Sequence, residues 1–279
     1  MKNIRSLFAV LSLGLVPLVV AAQAAAPAPA EEAAPSALSF SAGVKLWPNN
    51  WDSWVTSRTG TGVALGTLRY QTVQAVGSGN KLSTIPFASA RYNDFFGSVS
   101  VMTRTRYTLL DTSTPGGFEV SASREEVDFN TGYFLIPGLA LTAGYKRLTQ
   151  VYGPDSYRWR GPIVGVSGSA PLSGGWALYG SAGVGFLKAD FPTVQADASG
   201  KTKFNAAYRL GEFGLAYGMA PDLRFIRAVV GTVGYRVQNV STKGYGLAVT
   251  DPQGAFTQNS TANLKDTTQG LVLGLNVAF

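Results

Sequence analysis

The sequence has 279 residues, with 23 lysines and arginines against 16 aspartates and glutamates, and it contains neither histidine nor cysteine. Without cysteine there is no disulfide framework and no thiol chemistry, so stability must come from burial and backbone pairing. The basic residues are not gathered into runs, which argues against a nucleic-acid-binding protein.

The N-terminal segment has the pattern of a secretory signal peptide. Lys2 and Arg5 precede an apolar run over residues 7–20, and small residues then accumulate up to Ala24. This order of charge, apolar run and small residues predicts export and cleavage. The following Ala/Pro/Glu tract has little to bury and is predicted to be a flexible periplasmic lead-in. We therefore divide the chain into a signal peptide, a lead-in and one folded domain, at residues 1–24, 25–36 and 37–279.

Alternation of apolar with small or polar residues is the main structural signal in the folded domain. It is clear over residues 95–107 and 121–135, and a period of two predicts β-strands. The predicted strands are 38–47, 83–92, 95–107, 121–135, 139–151, 158–170, 176–189, 202–218, 223–240 and 264–279, which makes ten. The segment 48–82 holds a further pair of candidate strands, at 51–58 and 63–76, and the number becomes twelve if they join the sheet.

The connections alternate between short and long. Short turns are predicted at 92–94, 136–138, 171–175 and 219–222, and longer polar connections at 109–120, 152–157, 190–201 and 241–263. This alternation is typical of a barrel with tight turns on one side of a membrane and loops on the other.

A helical membrane span was the competing interpretation for one uncharged stretch. Residues 163–187 are long enough to cross a bilayer as a helix, but they contain seven glycines and Pro171. Both residue types are costly inside a helix, and the Pro-Leu-Ser-Gly-Gly sequence is typical of a turn. The stretch is therefore predicted to be a β-hairpin.

The last nine residues carry the most specific pattern. Large apolar residues alternate with small or polar ones, and the chain stops on an aromatic residue; the large residues are Leu271, Leu273, Leu275, Val277 and Phe279. This segment resembles the final strand of bacterial outer-membrane β-barrel proteins, in which such residues are an assembly signal for the barrel-insertion machinery. The resemblance implies an all-β, closed antiparallel transmembrane barrel in the outer membrane, in contact with lipid and lipopolysaccharide. A soluble sandwich ending on an apolar strand is the alternative.

The alternation also predicts which charged residues face the lumen. The predicted set is Arg104, Arg106, Glu126, Asp128, Lys146, Arg209 and Arg236. If consecutive strands fold back antiparallel at the predicted connections, Arg104 lies opposite Glu126 on the neighbouring strand, and Asp128 lies opposite Lys146. Such a set forms either a charged constriction that selects solutes, with a slight preference for anions, or a plug of paired charges that fills a narrow barrel.

Other side chains are predicted at the membrane surfaces. Arg147 and Lys188 have the lipid-facing register near the outer rim, where they would meet lipopolysaccharide phosphates or simply extend to the interface. Aromatic residues are predicted to form two girdles, an outer one of Trp47, Tyr107, Tyr152, Tyr157 and Trp159 and an inner one of Tyr92, Phe95, Trp176, Tyr217, Phe225 and Phe279.

The composition argues against most enzymes. Serine esterases and related hydrolases normally need an imidazole as general base, and this chain has none. Glu125, Glu126 and Asp128 form the one compact acidic group, for which a salt-bridged face is favoured over a calcium site because alternation separates Glu125 from the other two. We predict no catalytic residue, cofactor or metal.

The predicted function is a structural outer-membrane protein or a narrow passive channel for small solutes. The alternative is a surface interaction protein that binds its ligands through the long segments 48–82 and 241–263.

Overall fold

The computed structural model describes residues 38–59, 69–111, 118–197, 199–247 and 260–279. The predicted signal peptide and lead-in lie outside this part of the chain. Over the described ranges, no helix combines the length and the apolar character needed to span a membrane.

The described residues form eleven β-strands and one short 3-10 helix at Thr193–Gln195. The strands are β1 (Leu38–Thr59), β2 (Arg69–Ser78), β3 (Lys81–Tyr92), β4 (Phe95–Asp111), β5 (Phe118–Ile136), β6 (Leu139–Tyr152), β7 (Asp155–Pro171), β8 (Trp176–Asp190), β9 (Lys203–Met219), β10 (Ala228–Leu247) and β11 (Ser260–Ala278).

The sheet closes on itself. Each strand from β4 to β11 pairs antiparallel with the next one in the chain, and β11 pairs with β1, with Ser41 opposite Ala278. A closed ring leaves no sheet edge, so every strand has a neighbour on both sides. The predicted fold class, a closed antiparallel barrel, is confirmed.

The eleven strands occupy ten positions in the wall. Both β2 and β3 pair with β1, β2 along residues 52–59 and β3 along residues 38–49. They are therefore two segments of one wall strand, interrupted at Gly79 and Asn80. The predicted number of ten holds for wall positions, whereas the twelve-stranded alternative is wrong because residues 51–58 continue β1.

The connections lie at two ends of the barrel, which we call the terminal end and the loop end. The terminal end carries the start of β1, the end of β11 and the short turns at 93–94 and 137–138. One predicted long connection is wrong: β6 and β7 are joined at the loop end by Gly153 and Pro154 alone, because Gly153 adopts a positive φ of 52° that permits a tight turn. The predicted start of β10 is also early by five residues, since Leu223 and Ile226 form a separate bridge before Ala228.

The two faces of the wall have opposite compositions. Large apolar side chains cover the outward face, where Phe186, Phe213 and Leu271 are 72%, 64% and 57% exposed. Charged and amide side chains lie inside, where Lys146 and Gln150 are fully buried. A soluble protein would bury the first set, whereas hydrocarbon around a closed wall accommodates it.

Only one of the two predicted aromatic girdles faces outward. The six residues predicted at the terminal end are all exposed: Tyr92, Phe95, Trp176, Tyr217, Phe225 and Phe279. Of the predicted outer girdle, Trp47, Tyr107 and Trp159 are at most 2% exposed and point into the interior, so this prediction is corrected. For Tyr107 the cause is a β-bulge between Met102 and Thr105, which reverses the face of every later residue in β4.

Candidate functional site: the barrel interior

A network of buried charges crosses the interior about halfway along the strands. Arg124 and Glu126 project inward from β5, are 1% and 2% exposed, and form an ion pair of 2.7 Å between Nη2 and Oε1. Arg124 also donates from Nη2 to Oε1 of Gln238 in β10, at 2.9 Å, and from Nη1 to the hydroxyl of Thr268 in β11. Because β5 and β10 are five positions apart in a wall of ten, these bonds span the full width of the lumen.

Lys146 extends this network toward the terminal end. It lies on β6 opposite Asp128 in the strand register, and its Nζ is 2.9 Å from Asp128 Oδ1 and also binds Glu126. The ring of Tyr208 in β9 lies 4.8 Å from the same ammonium group, within cation-π distance. Lys146 has no exposed surface, so its charge is compensated by protein groups rather than water.

A second buried ion group lies beside the first. Glu212 in β9 accepts from Lys45 in β1 at 2.6 Å and from Arg236 in β10 at 3.0 Å. The Arg236 guanidinium lies 5.1 Å from the ring of Trp47. These contacts join strands that are up to three wall positions apart, so this group also closes part of the lumen.

Aromatic side chains fill the interior between this network and the loop end. Phe191, in the connection after β8, turns inward and packs on Tyr157, Trp159, Phe204 and Tyr245 at centroid distances of 5.1 to 5.5 Å. Across the lumen, Trp159 Nε1 donates to Thr242 Oγ1 at 2.8 Å. Trp51, Tyr107 and Tyr152 form a second cluster of this kind.

The interior on the terminal side of the network is less filled. A cavity of about 130 Å³ lies there, bordered by polar and charged side chains together with the apolar side chains of Ile85, Phe87 and Ile163. Its lining includes Ser98, Ser100, Asn130, Ser181, Asp128 and Glu212. The interior is therefore asymmetric: it is tightly packed toward the loops and partly open toward the termini.

The structure places four of the seven predicted lumen residues inside the barrel. Glu126, Lys146 and Arg236 are buried in the two ion groups, and Asp128 lies at the edge of the cavity. The predicted pairing of Asp128 with Lys146 is present, whereas Glu126 is paired with Arg124 and Lys146 instead of Arg104.

The other three predicted lumen residues face outward. Arg104 lies within the bulge between Met102 and Thr105 and Arg106 lies just after it, so both are on the exposed face, and Arg104 pairs with Glu125 at 3.0 Å. Arg209 is exposed because its neighbour Tyr208 takes the inward position in β9.

Several interior residues were not predicted. They are Lys45, Arg124, Glu212, Gln238 and Asp266. Arg124 and Glu126 are two residues apart in one continuous strand and therefore point to the same face. The alternation alone could have identified Arg124 as an interior residue.

The two residues predicted at the outer rim, Arg147 and Lys188, are exposed on the outward face, and Arg160 in β7 lies between them in the strand register. In the described part of the chain, no three acidic side chains come together as a metal site would require. Glu125 faces outward while Glu126 and Asp128 face Lys146.

The closed wall, its apolar outward face and its polar interior have the architecture of a transmembrane β-barrel. Neither the protein-family models nor the curated protein sequences contain a match to this chain.

Several solved structures are similar to the chain at low sequence identity. The outer membrane protease OmpT from Escherichia coli is 13% identical, with a TM-score of 0.47, and the alignment covers 86% of this chain and 97% of that one. A Pseudomonas aeruginosa FadL homologue is 16% identical, with a TM-score of 0.30 and coverage of 88% and 65%. The P. putida toluene transporter TodX is 10% identical, with a TM-score of 0.26 and coverage of 88% and 91%.

Proposed function

We propose that this protein is a closed, non-conducting barrel with a structural role in the outer membrane. The short turns and both ends of the barrel chain would then face the periplasm, and the loop end would face the cell exterior. The proposed role includes no catalysis, because the sequence has no histidine and no cysteine.

The observation that carries this proposal is the bonding across the lumen. Arg124 reaches Gln238 on the opposite wall and Thr268 beside it, and Glu126 connects Arg124 to Lys146. A hydrated solute would have to break these bonds and leave buried charges without partners, which is costly in a low-dielectric interior. The aromatic packing around Phe191 adds a second obstruction above the network.

The terminal strand supports an additional role in assembly. Leu271, Leu273, Leu275 and Phe279 are all exposed on the outward face at 46% to 57%, while Val277 is half-buried. This arrangement presents one apolar stripe to lipid or to a protein that handles the strand before closure. We propose that the barrel-insertion machinery recognises this stripe.

A narrow passive channel is the competing function, and the partly polar cavity of about 130 Å³ on the periplasmic side is the observation that favours it. The alternative of ligand binding through loops depends largely on 60–68 and 248–259, which lie outside the described residues.

Recording from planar bilayers separates the closed barrel from the channel. The wild-type protein is expected to give no steady conductance. A variant that lacks both the crossing side chains and the aromatic obstruction, Arg124→Ala, Glu126→Ala, Lys146→Ala and Phe191→Ala, should conduct ions, whereas the outward control Arg104→Ala with Glu125→Ala should stay silent. Steady wild-type currents would overturn the proposal regardless of how the variants behave.

A further inference from the structure

Three cationic side chains lie side by side on the outward face of β6, β7 and β8. The strand register places Arg147 opposite Arg160, and Arg160 opposite Lys188. Neighbouring strands are about 5 Å apart, so the three residues begin within about 10 Å of one another. All three are exposed.

The charge of this basic row is not neutralised by the residues that the structure describes. Among the described residues, no carboxylate forms an ion pair with any of the three, and Lys188 donates only to the neutral amide of Asn205. The row is flanked by Val127 on β5 and by Asn205 on β9. The described interior carboxylates Glu126, Asp128 and Glu212, by contrast, each form an ion pair with a lysine or arginine.

The height of the basic row corresponds to the outer edge of the membrane. Arg147, Arg160 and Lys188 lie eight, eleven and twelve residues from the terminal ends of their strands. Strands rise about 3.3 Å per residue and tilt by about 40°, so these residues lie roughly 20 to 30 Å above the periplasmic turns, at the upper limit of an apolar band about 25 Å tall.

The surface directly below the basic row is apolar. Tyr145 and Phe186, two residues below Arg147 and Lys188, are 49% and 72% exposed, and Val164 on β7 is 48% exposed. A ligand at this place therefore meets cations above and hydrocarbon-compatible side chains below. Phosphorylated lipids of the outer leaflet have this arrangement of anionic head group and acyl chains.

We propose that Arg147, Arg160 and Lys188 form a binding site for the phosphate groups of lipopolysaccharide. The two guanidinium groups can bind phosphate oxygens in the bidentate manner that arginine favours, and Lys188 supplies a third charge. The acyl chains of the same molecule lie against Tyr145, Val164 and Phe186. The inference requires the membrane orientation proposed above but does not require the barrel to be closed to ions.

Binding to the purified protein in detergent, without divalent cations, tests this site. The two probes are phosphorylated lipopolysaccharide and the same preparation after removal of its phosphates. The wild-type protein is expected to bind the phosphorylated form more tightly, by on the order of tenfold or more. The variant Arg147→Gln with Arg160→Gln should lose most of this preference while its far-UV circular dichroism stays unchanged, because both side chains point outward.

The matched control is Arg91→Gln with Arg224→Gln, which removes the same charge from exposed positions at the periplasmic end. This variant should retain the wild-type preference for phosphate. Equal binding of both lipopolysaccharide forms by the wild type would reduce the basic row to ordinary interfacial anchoring, and equal losses in the two variants would show a general charge effect; either result overturns the site. Bilayer conductance is independent of these outcomes and tests the closed barrel separately.

Discussion

Glu126 in the barrel interior and Glu125 on the outward face are neighbours in β5 with very different surroundings. The side chain of Glu126 is 2% exposed and bonds to Arg124 and Lys146, whereas that of Glu125 is 37% exposed and pairs only with Arg104. Inside the closed wall a lost partner cannot be replaced by water, while outside it can. The same type of ion pair should therefore be far more important for stability in the interior than on the outward face.

Replacing the two glutamates one at a time gives the largest expected difference. Glu126→Gln leaves Arg124 buried without an ionic partner and should lower the free energy of unfolding by about 3–5 kcal/mol. Glu125→Gln should lower it by about 1 kcal/mol or less, because the Arg104 side chain is 61% exposed. Urea unfolding in lipid vesicles, followed by tryptophan fluorescence, measures both. Similar losses for the two variants would contradict the comparison.

A pair of glycines tests how tightly the interior is packed compared with the outward face. A Cβ atom at Gly270, on the inward side of β11, would overlap the Pro48 carbonyl oxygen, whereas one at Gly211, on the outward side of β9, meets nothing within 4 Å. Gly270→Ala should therefore cost about 1–3 kcal/mol of stability. Gly211→Ala should be neutral or slightly stabilising, since alanine has less backbone freedom to lose. The same unfolding assay applies, and a loss at Gly211 that equals the loss at Gly270 would argue against a crowded interior.

Asp197 lies in neither the barrel interior nor the outward face of the wall, because it belongs to the connection between β8 and β9. Hydrogen bonds from Ser199 and from the Lys201 amide hold the pKa of this carboxyl below its ordinary value. A lowered folded-state pKa stabilises the loop at neutral pH, and this contribution disappears as the pH falls through that value. The expected effect is small and local: Asp197→Asn should speed hydrogen exchange of the Lys201 amide at pH 7 without changing global unfolding. Unchanged exchange would contradict it.

Much of the wall could be predicted from the sequence, because lipid outside and polar groups inside impose a period of two on every strand. The register after Met102 could not be predicted. The bulge there involves Thr103, Arg104 and Thr105, none of which is a glycine or proline that would indicate an irregularity, and a shift of one residue moved Arg104 and Arg106 to the outward face.

The interior site was predictable only in part, for a different reason. Asp128 and Lys146 belong to one hairpin, so their pairing follows from the turn at Pro137 and Gly138. The contacts of Arg124 with Gln238 and Thr268 join strands more than a hundred residues apart in sequence and depend on closure of the ring. No local pattern contains that information.

The pairing of β1 with β11 has a consequence for how the barrel forms. Ser41 and Ala278 are paired although 237 positions separate them in the sequence. Nearly the entire polypeptide must therefore be folded before β1 and β11 can form this pairing, which is the seam of the barrel. Contacts of such long range form slowly. Until they form, two unpaired strand edges are free to associate with other chains. Seam formation should therefore be the rate-limiting step of biogenesis, and weakening it should increase aggregation before it reduces the stability of the finished barrel.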